Sequence, residues 1–331
     1  MRYLETGGAG FIGSHLTELL VADGHDIVIL DDLSTGLREN VAFLLDGGDV
    51  RLVEGSVTDR DLVDELMGGV DVCVHLASIV GVQLILERPL EALLANVRGT
   101  DIVMEAAARH GRRLLYASTS EVYGKNTDGA LSEDDDLLLG SPFKARWSYA
   151  ISKSFGEALA HGYQRDLGVD VVTVRLFNTV GPRQAGLYGM VLPRLVRQAL
   201  AGEDLTVYGD GSQTRCFIHV RDTVQALRLV CNDPRATGNV YNIGNTVPVS
   251  IMQLAVRVIQ RASSSSRVRL VPYEAAYPDG FEELGRREPD TAALRALTGW
   301  LPRRTLDDAI DDVIRHERVG GWAAALVPGA A

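Results

Sequence analysis

Eight residues near the amino terminus, Thr6-Gly7-Gly8-Ala9-Gly10-Phe11-Ile12-Gly13, constrain this chain more than any other stretch. A short strand-like run (2–6) precedes them and a helical pattern (11–23) follows. Glycines at such a junction permit a tight turn and let backbone N–H groups approach a pyrophosphate, and the helix N-terminus adds a favourable dipole. The spacing is Gly-x-x-Gly-x-x-Gly, and glycines alone say little. The context adds weight: the second strand-like run ends at Asp31, 24 residues after Gly7. A carboxylate there can accept from an adenosine ribose diol, and it favours NAD over NADP because it repels a 2′-phosphate.

The first half of the chain alternates short apolar runs with longer helical patterns. The runs are 2–6, 26–30, 50–54, 71–75, 113–118 and 170–175, with helices over 11–23, 59–67, 96–111 and 149–167. A seventh run, 239–243, follows a helix near 220–231. This rhythm predicts βαβ units: an α/β fold with a doubly wound parallel sheet of about seven strands, the Rossmann type. The rest breaks the rhythm. It carries Gly181-Pro182, Tyr208-Gly209-Asp210-Gly211, helices near 192–201 and 251–261, a Pro/Gly/Tyr-rich stretch (271–289) and terminal helices. We read a dinucleotide-binding domain over 1–176 and 223–246, with a smaller discontinuous α/β lobe over 177–222 and 247–331 that binds substrate; the cleft between them is the expected site.

Charge and cysteine usage narrow the function classes. With 33 basic and 44 acidic residues the net charge is −11, which argues against a nucleic-acid binder dominated by phosphate neutralisation. The best candidate for a membrane span, 72–86, is broken by His75, Ser78 and Gln83, so no membrane partner is expected. The start reads as a strand and glycines, not as a signal peptide. Three scattered cysteines, Cys73, Cys216 and Cys231, suit neither a disulfide framework nor a zinc site and point to the reducing cytoplasm. The tail after Gly320 is small-residue-rich and is expected to fray.

Tyr149-x-x-x-Lys153 enters a helix, so both side chains share a face. The Lys153 ammonium can lower the Tyr149 phenol, as can a cationic nicotinamide; only so perturbed is a tyrosine a useful base near neutral pH. Ser118-Thr119-Ser120-Glu121 ends the fifth strand, where a hydroxyl sits over the cofactor cleft and completes a Thr–Tyr–Lys set.

With these residues in place, the chain resembles the extended short-chain dehydrogenase/reductases that act as NDP-sugar epimerases, dehydratases and decarboxylases. The matching segments are TGGAGFIG (6–13), DDLSTG (31–36), HLAS (75–78), NVRGT (96–100), STSEVYG (118–124), YAISK (149–153), FNTVGPR (177–183), YGDGSQTR (208–215) and NIG (242–244). The resemblance implies tightly held NAD, touched by Gly7, Gly10, Phe11, Ile12 and Gly13, by Asp31, Asp32, Ser34, Thr35 and Gly36, by Ser56 and Val57, by Leu76, Ala77, Ser78 and Asn96, and by Tyr149 and Lys153. It implies Tyr149 as base, Thr119 as its hydroxyl partner and Lys153 on the nicotinamide ribose. It places a UDP-sugar against Thr119, Asn178, Arg183, Val191, Leu192, Tyr208, Arg215 and Arg287. The helices over 96–111 and 147–167 resemble the pair that forms a four-helix bundle in the family's homodimers.

Finer residues separate the subfamilies. Ser-Thr-Ser-Glu-Val-Tyr-Gly at 118–124 matches UDP-glucuronate decarboxylases residue for residue, and Ser120 departs from the Asp-Glu pair of 4,6-dehydratases. Lys144-Ala145-Arg146-Trp147-Ser148-Tyr149 resembles the Lys-x-Arg-Trp-x-Tyr of the decarboxylase domain in aminoarabinose–lipid A synthesis. So do 280–283 and 286–290, where Arg287 falls on the arginine proposed there for catalysis. In plain epimerases an arginine near this position binds diphosphate. The uronate-gripping arginine of UDP-glucuronate 4-epimerases is missing from 181–186. The expected activity is NAD-dependent decarboxylation of UDP-glucuronate, giving UDP-xylose or the released 4-keto pentose, with Thr119, Tyr149, Lys153, Ser120, Glu121 and Arg287 as catalytic residues and no metal. The alternatives are a UDP-glucose or UDP-glucuronate 4-epimerase and an NAD-binding regulatory protein without chemistry.

Some residues fit less well. Ser56 replaces the acid that usually contacts adenine after the third strand. Glu5 stands in the first strand, where both faces should be buried; an unpaired carboxylate there is costly, and we read it as a substitution without function. His75, His110 and His219 lack metal spacing and read as core or surface residues, and 133–136 as a solvated acidic loop.

Overall fold

A computed structural model describes residues 1–80, 89–126, 129–185, 190–276 and 287–320. The motif residues 280–283 and Arg286, and the tail after Gly320, lie outside them. Seven strands form one sheet: β1 (Arg2–Thr6), β2 (Asp26–Asp31), β3 (Val50–Glu54), β4 (Val72–His75), β5 (Arg113–Thr119), β6 (Val171–Leu176) and β7 (Val240–Ile243). Their order is β7-β6-β5-β4-β1-β2-β3, with every pairing parallel, as the alternating sequence pattern requires. The order reverses between β1 and β4, which opens a crevice at the carboxyl ends of these strands.

Alternate strand residues supply the two faces. Leu4, Val28, Leu30 and Leu114 face α2 (Arg60–Gly68), α3 (Pro89–His110) and α4 (Ser148–Leu167), whereas Tyr3, Ile27, Ile29 and Leu115 face α1 (Phe11–Ala22) and α5 (Val220–Asn232). Helix α3 already includes Pro89, seven residues ahead of the expected start at 96. A separate core joins helices Val191–Ala201, Ile251–Ala262 and Leu306–Arg318 over the short strands Leu205–Tyr208 and Val268–Val271.

Glu5 shares the face of Tyr3 and is fully buried. The Thr17 hydroxyl of α1 lies 2.8 Å from Glu5 Oε2 and 3.0 Å from Gly13 O. One hydroxyl proton serves one acceptor. A neutral Glu5 resolves the conflict by donating to Thr17 while Thr17 donates to Gly13. Burial likewise pushes the carboxyl up to about 8, against a smaller opposite pull from Thr17. The expected bland substitution is therefore a buried neutral acid tying β1 to α1. Because its folded value lies above its ordinary 4.5, the cost of ionising it is absent below pH 4.5, grows as pH rises, and is complete above about 8. Glu5→Gln should therefore gain stability over the native chain on going from pH 4.5 to above 8, on the order of 4–5 kcal/mol by urea unfolding. Parallel pH profiles for the two proteins would refute this.

The three cysteines are free and buried. Among the described residues no cluster of His, Cys, Asp or Glu could hold a metal, and no helix is long and apolar enough to cross a membrane. Glu133 departs from the solvated loop expected of 133–136: it is half-buried and accepts the Asn242 N–H at 2.7 Å.

Candidate active site

The crevice at the sheet's switch point is a cavity of about 570 Å³, and every candidate cofactor, substrate and catalytic residue named from the sequence lines it. Its dinucleotide end is built by backbone. Gly7 has φ +76°, and a Cβ there would meet the Ala77 backbone at 2.8 Å; a Cβ on Gly13 would meet Gly7 O at 2.3 Å. Helix α1 opens at Gly10 with no side-chain cap, which leaves its first N–H groups to an anion from the cavity. Asp31 at the tip of β2 accepts from Ala9 N and Leu33 N, each at 2.9 Å, so its orientation is fixed. Burial pushes its carboxyl up, and these two N–H groups pull it back. A glycine cradle at an uncapped helix end beside an oriented carboxylate fits NAD. Asn96 packs beside it, accepting from Ser78 Oγ at 3.0 Å and Ile79 N at 2.8 Å.

The catalytic candidates meet where β5 ends. Lys153, buried on α4, donates to Ala117 O at 2.8 Å, and its ammonium lies 6.0 Å from the Tyr149 ring centroid. Burial pushes Lys153 down to about 7, while the Glu157 carboxylate opposes the shift. Tyr149 hydrogen-bonds Ser78 and Thr119. Its phenol corrects the expectation of a lowered value: burial and the Glu121 carboxylate raise it well above the ordinary tyrosine range, and the two hydroxyls only partly offset them. The chain alone does not make Tyr149 a base at neutral pH; added positive charge must do so.

Glu121 follows in a short 3₁₀ turn, Ser120–Tyr123, capped by Thr119 Oγ1, which accepts from Glu121 N at 3.3 Å. Arg287 forms an ion pair with Glu121 Oε1, and Arg146 reaches Oε2 at 3.3 Å. Both guanidiniums are almost fully buried. Burial opposes the charge on Glu121, but Arg287 and Arg146, with Arg215 further off, outweigh it and hold the carboxyl below its ordinary value. Glu121 and Arg287, 166 residues apart, are thus brought into contact. Arg146 was missed as a site residue, although its motif was visible three residues before Tyr149. Ser78 was placed on the cofactor alone, yet it also touches Tyr149.

On the substrate side, Asn178 Nδ2 is buried without a partner among the described residues, a donor that a ligand in the cavity would satisfy. Arg183, at φ +67°, is held by Glu18 at 3.0 Å and Ser14 at 3.4 Å on α1. Val191, Leu192, Tyr208 and Arg215 line the same wall. His316 and Glu317 of the last helix also reach the cavity, and no local pattern pointed to them. His75 lies in the core between Thr6 and Thr100, and burial pushes it down to about 3.

The profile of the NAD dependent epimerase/dehydratase family matches residues 4–244. The chain belongs to this family. Members similar to it include the UDP-N-acetyl-alpha-D-glucosaminuronate decarboxylase of Bacillus cytotoxicus, 42% identical over 96% of this chain and 98% of that protein. UDP-glucuronic acid decarboxylase 1 of Xenopus tropicalis is 35% identical over 96% of this chain and 72% of its own length. Among solved structures, the dTDP-glucose 4,6-dehydratase DesIV of Streptomyces venezuelae superposes with a TM-score of 0.88 at 30% identity, covering 97% of this chain and 98% of that one. As a family member the chain is an NAD-dependent enzyme.

Proposed function

We propose that this enzyme decarboxylates a UDP-hexuronate, with the acetamido sugar UDP-N-acetylglucosaminuronate and its hydroxyl counterpart UDP-glucuronate as the substrates to test first. The observation that carries the reading is the Glu121–Arg287 pair, reinforced by Arg146, beside Tyr149. NAD, when bound, supplies reversible removal of hydrogen at C4 of the sugar, and the residues that would hold it are the Gly7–Gly13 cradle, Asp31, Ser78, Tyr149 and Lys153. Tyr149 takes the C4 hydroxyl proton, with Thr119 and Ser78 fixing its oxygen. Once C4 is a ketone, the C6 carboxylate belongs to a β-keto acid, and as CO₂ leaves, the electron pair of the C5–C6 bond passes into the C4 carbonyl, whose oxygen becomes the enolate oxygen. Two guanidiniums against one carboxylate leave an excess positive charge, suited to the substrate carboxylate and then to the enolate oxygen. Ionised Glu121, alongside Ser120, orients the ring; after CO₂ has left, C5 takes up one proton, which comes from solvent and is relayed through Glu121. Asn178, Arg183, Val191, Leu192, Tyr208 and Arg215 hold the UDP. The cleft thus lies between a dinucleotide-binding domain (1–176, 223–246) and a substrate lobe (177–222, 247–331).

The same reading takes the enzyme to be a cytoplasmic homodimer. Free buried cysteines suit a reducing compartment, and Leu90 and Leu94 on α3 with Phe155 on α4 are exposed apolar side chains on the two helices expected to form a four-helix bundle. Sedimentation of the purified protein tests the dimer. Incubation of each UDP-sugar with enzyme and NAD, followed by mass spectrometry, tests the activity. Loss of the mass of CO₂ is expected; a product of unchanged mass means an epimerase and overturns the proposal.

Cofactor choice gives a separate check. Asp31 should make NAD bind at least about tenfold more tightly than NADP, since a carboxylate facing a 2′-phosphate is repulsive. Equal affinities in a calorimetric titration would refute its role.

A further inference from the structure

The Asn-Ile-Gly segment at 242–244 has no part in the chemistry above, although it lies at the end of β7 with the Asn242 side chain fully buried. The Asn242 carboxamide uses all its donors. Its Nδ2 donates to Leu131 O at 2.9 Å and to Asp290 O at 3.1 Å. Its Oδ1 accepts from the Tyr123 hydroxyl at 2.8 Å, and its backbone N–H donates to Glu133 at 2.7 Å. These partners belong to three separate stretches. Tyr123 closes the 3₁₀ turn that carries Glu121. Asp290 lies three residues after Arg287, and Leu131 is stitched to the same stretch by Leu131 N to Glu288 O at 2.7 Å and Asp290 N to Leu131 O at 2.8 Å. Gly244 completes the seat: a Cβ there would meet Pro289 Cγ at 2.7 Å and Phe177 Cβ at 2.9 Å.

We propose that Asn242 is a positioning residue for the decarboxylation step, locking the stretch that carries Arg287 against the turn that carries Glu121. The proposal rests on the roles given to those two residues above. Asn242 is not among the residues that line the cavity; it acts by fixing where the two charged groups meet. The sheet supports it from the next strand. Arg175, the register partner of Asn242 on β6, stacks on the Tyr123 ring with its guanidinium 4.7 Å from the centroid, and it binds Glu157 of α4 at 2.8 Å. Glu157 lies one turn beyond Lys153, so the frame that seats Arg287 is continuous with the helix that carries Lys153 and Tyr149.

Two variants test this by different routes. Asn242→Asp keeps size and shape but sets a carboxylate against two carbonyl oxygens that have lost their donor. Gly244→Ala removes no hydrogen-bonding group and acts by bulk alone, against Pro289 and Phe177. In the full-length enzyme with NAD, each is expected to retain cofactor affinity and cooperative unfolding, while kcat for CO₂ release falls roughly a hundredfold with KM little changed, the scale of a small misplacement of reacting groups. The second readout needs no turnover. The Glu121 carboxyl, titrated by carbon-detected NMR and assigned with Glu121→Gln, should titrate at higher pH in both variants because Arg287 has moved away. Folded variants that keep the native rate and the native Glu121 titration overturn the proposal. So does a rate that falls only with the folded fraction while Glu121 titrates unchanged. If Asn242→Asp fails to fold, Gly244→Ala decides. If the native enzyme releases no CO₂, the functional reading fails, and the Glu121 titration still decides whether Asn242 seats Arg287.

Discussion

Replacing Tyr149 by Phe is expected to slow oxidation at C4 by roughly a thousandfold, the middle of the range for a lost general base. The change removes one oxygen and leaves a half-buried ring, so unfolding and UDP binding should stay close to native. The expectation follows from the surroundings of the phenol. Burial and Glu121 hold its proton tightly. The opposing charges are the Lys153 ammonium, one helical turn away, and the nicotinamide cation when NAD is bound. Lys153 is itself pushed down to about 7, so its charge is present only toward lower pH or when ligands stabilise it. The site therefore makes a base of Tyr149 only when it is loaded. The rate at which enzyme-bound NAD is reduced on mixing with substrate, followed by absorbance, measures this step. A native rate in Tyr149→Phe would remove Tyr149 from the mechanism.

How far the sequence led depends on the range over which each signal acts. The glycine cradle, Asp31 and the Tyr149–Lys153 spacing are local patterns: strand, turn and helix fix their geometry within a few residues, and all of them line one cavity. The parallel sheet followed from the alternation of runs and helices. The pairing of Glu121 with Arg287 joins residues far apart in the chain, and only the resemblance of both segments to decarboxylases brought them together. Where a partner came from another element with no motif of its own, the reading stopped. Thr17 beneath Glu5, Ser78 on Tyr149, and His316 and Glu317 at the cavity wall are tertiary facts. The Tyr149 phenol went the other way from expectation because a Tyr-x-x-x-Lys pattern shows the ammonium but not the burial or the neighbouring carboxylate. Asn242 is the clearest case: a short motif visible from the start, whose meaning lies in three stretches that converge on it.

Glu121→Gln and Arg287→Ala should each slow CO₂ release by at least about a hundredfold, the scale of a lost acid–base group. Tyr149, Thr119 and Lys153 serve any hydrogen removal at C4, so their variants cannot tell a decarboxylase from an epimerase. Glu121 and Arg287 can. In Glu121→Gln the amide keeps the shape of the carboxyl but neither balances the two guanidiniums nor takes a proton. Arg146 and Arg287 are then buried with excess positive charge, which the carboxylate of an incoming hexuronate offsets. Affinity for the UDP-hexuronate should therefore hold or tighten while CO₂ release collapses, so binding and catalysis move in opposite directions. Arg287→Ala removes one of the two guanidiniums and leaves Glu121 with Arg146 at 3.3 Å, so the carboxylate keeps part of its partner while the site loses the excess positive charge assigned to the enolate. If Arg287 also holds diphosphate, plain UDP binds more weakly to this variant; if its work is confined to the sugar, UDP affinity stays native. The measurements are release of labelled CO₂ from the UDP-hexuronate and calorimetric titration with UDP and with the substrate. Native rates of CO₂ release in either variant would take that residue out of the decarboxylation. A native enzyme that interconverts UDP-hexuronate epimers and releases no CO₂ would return the pair to a structural role and the protein to the epimerases.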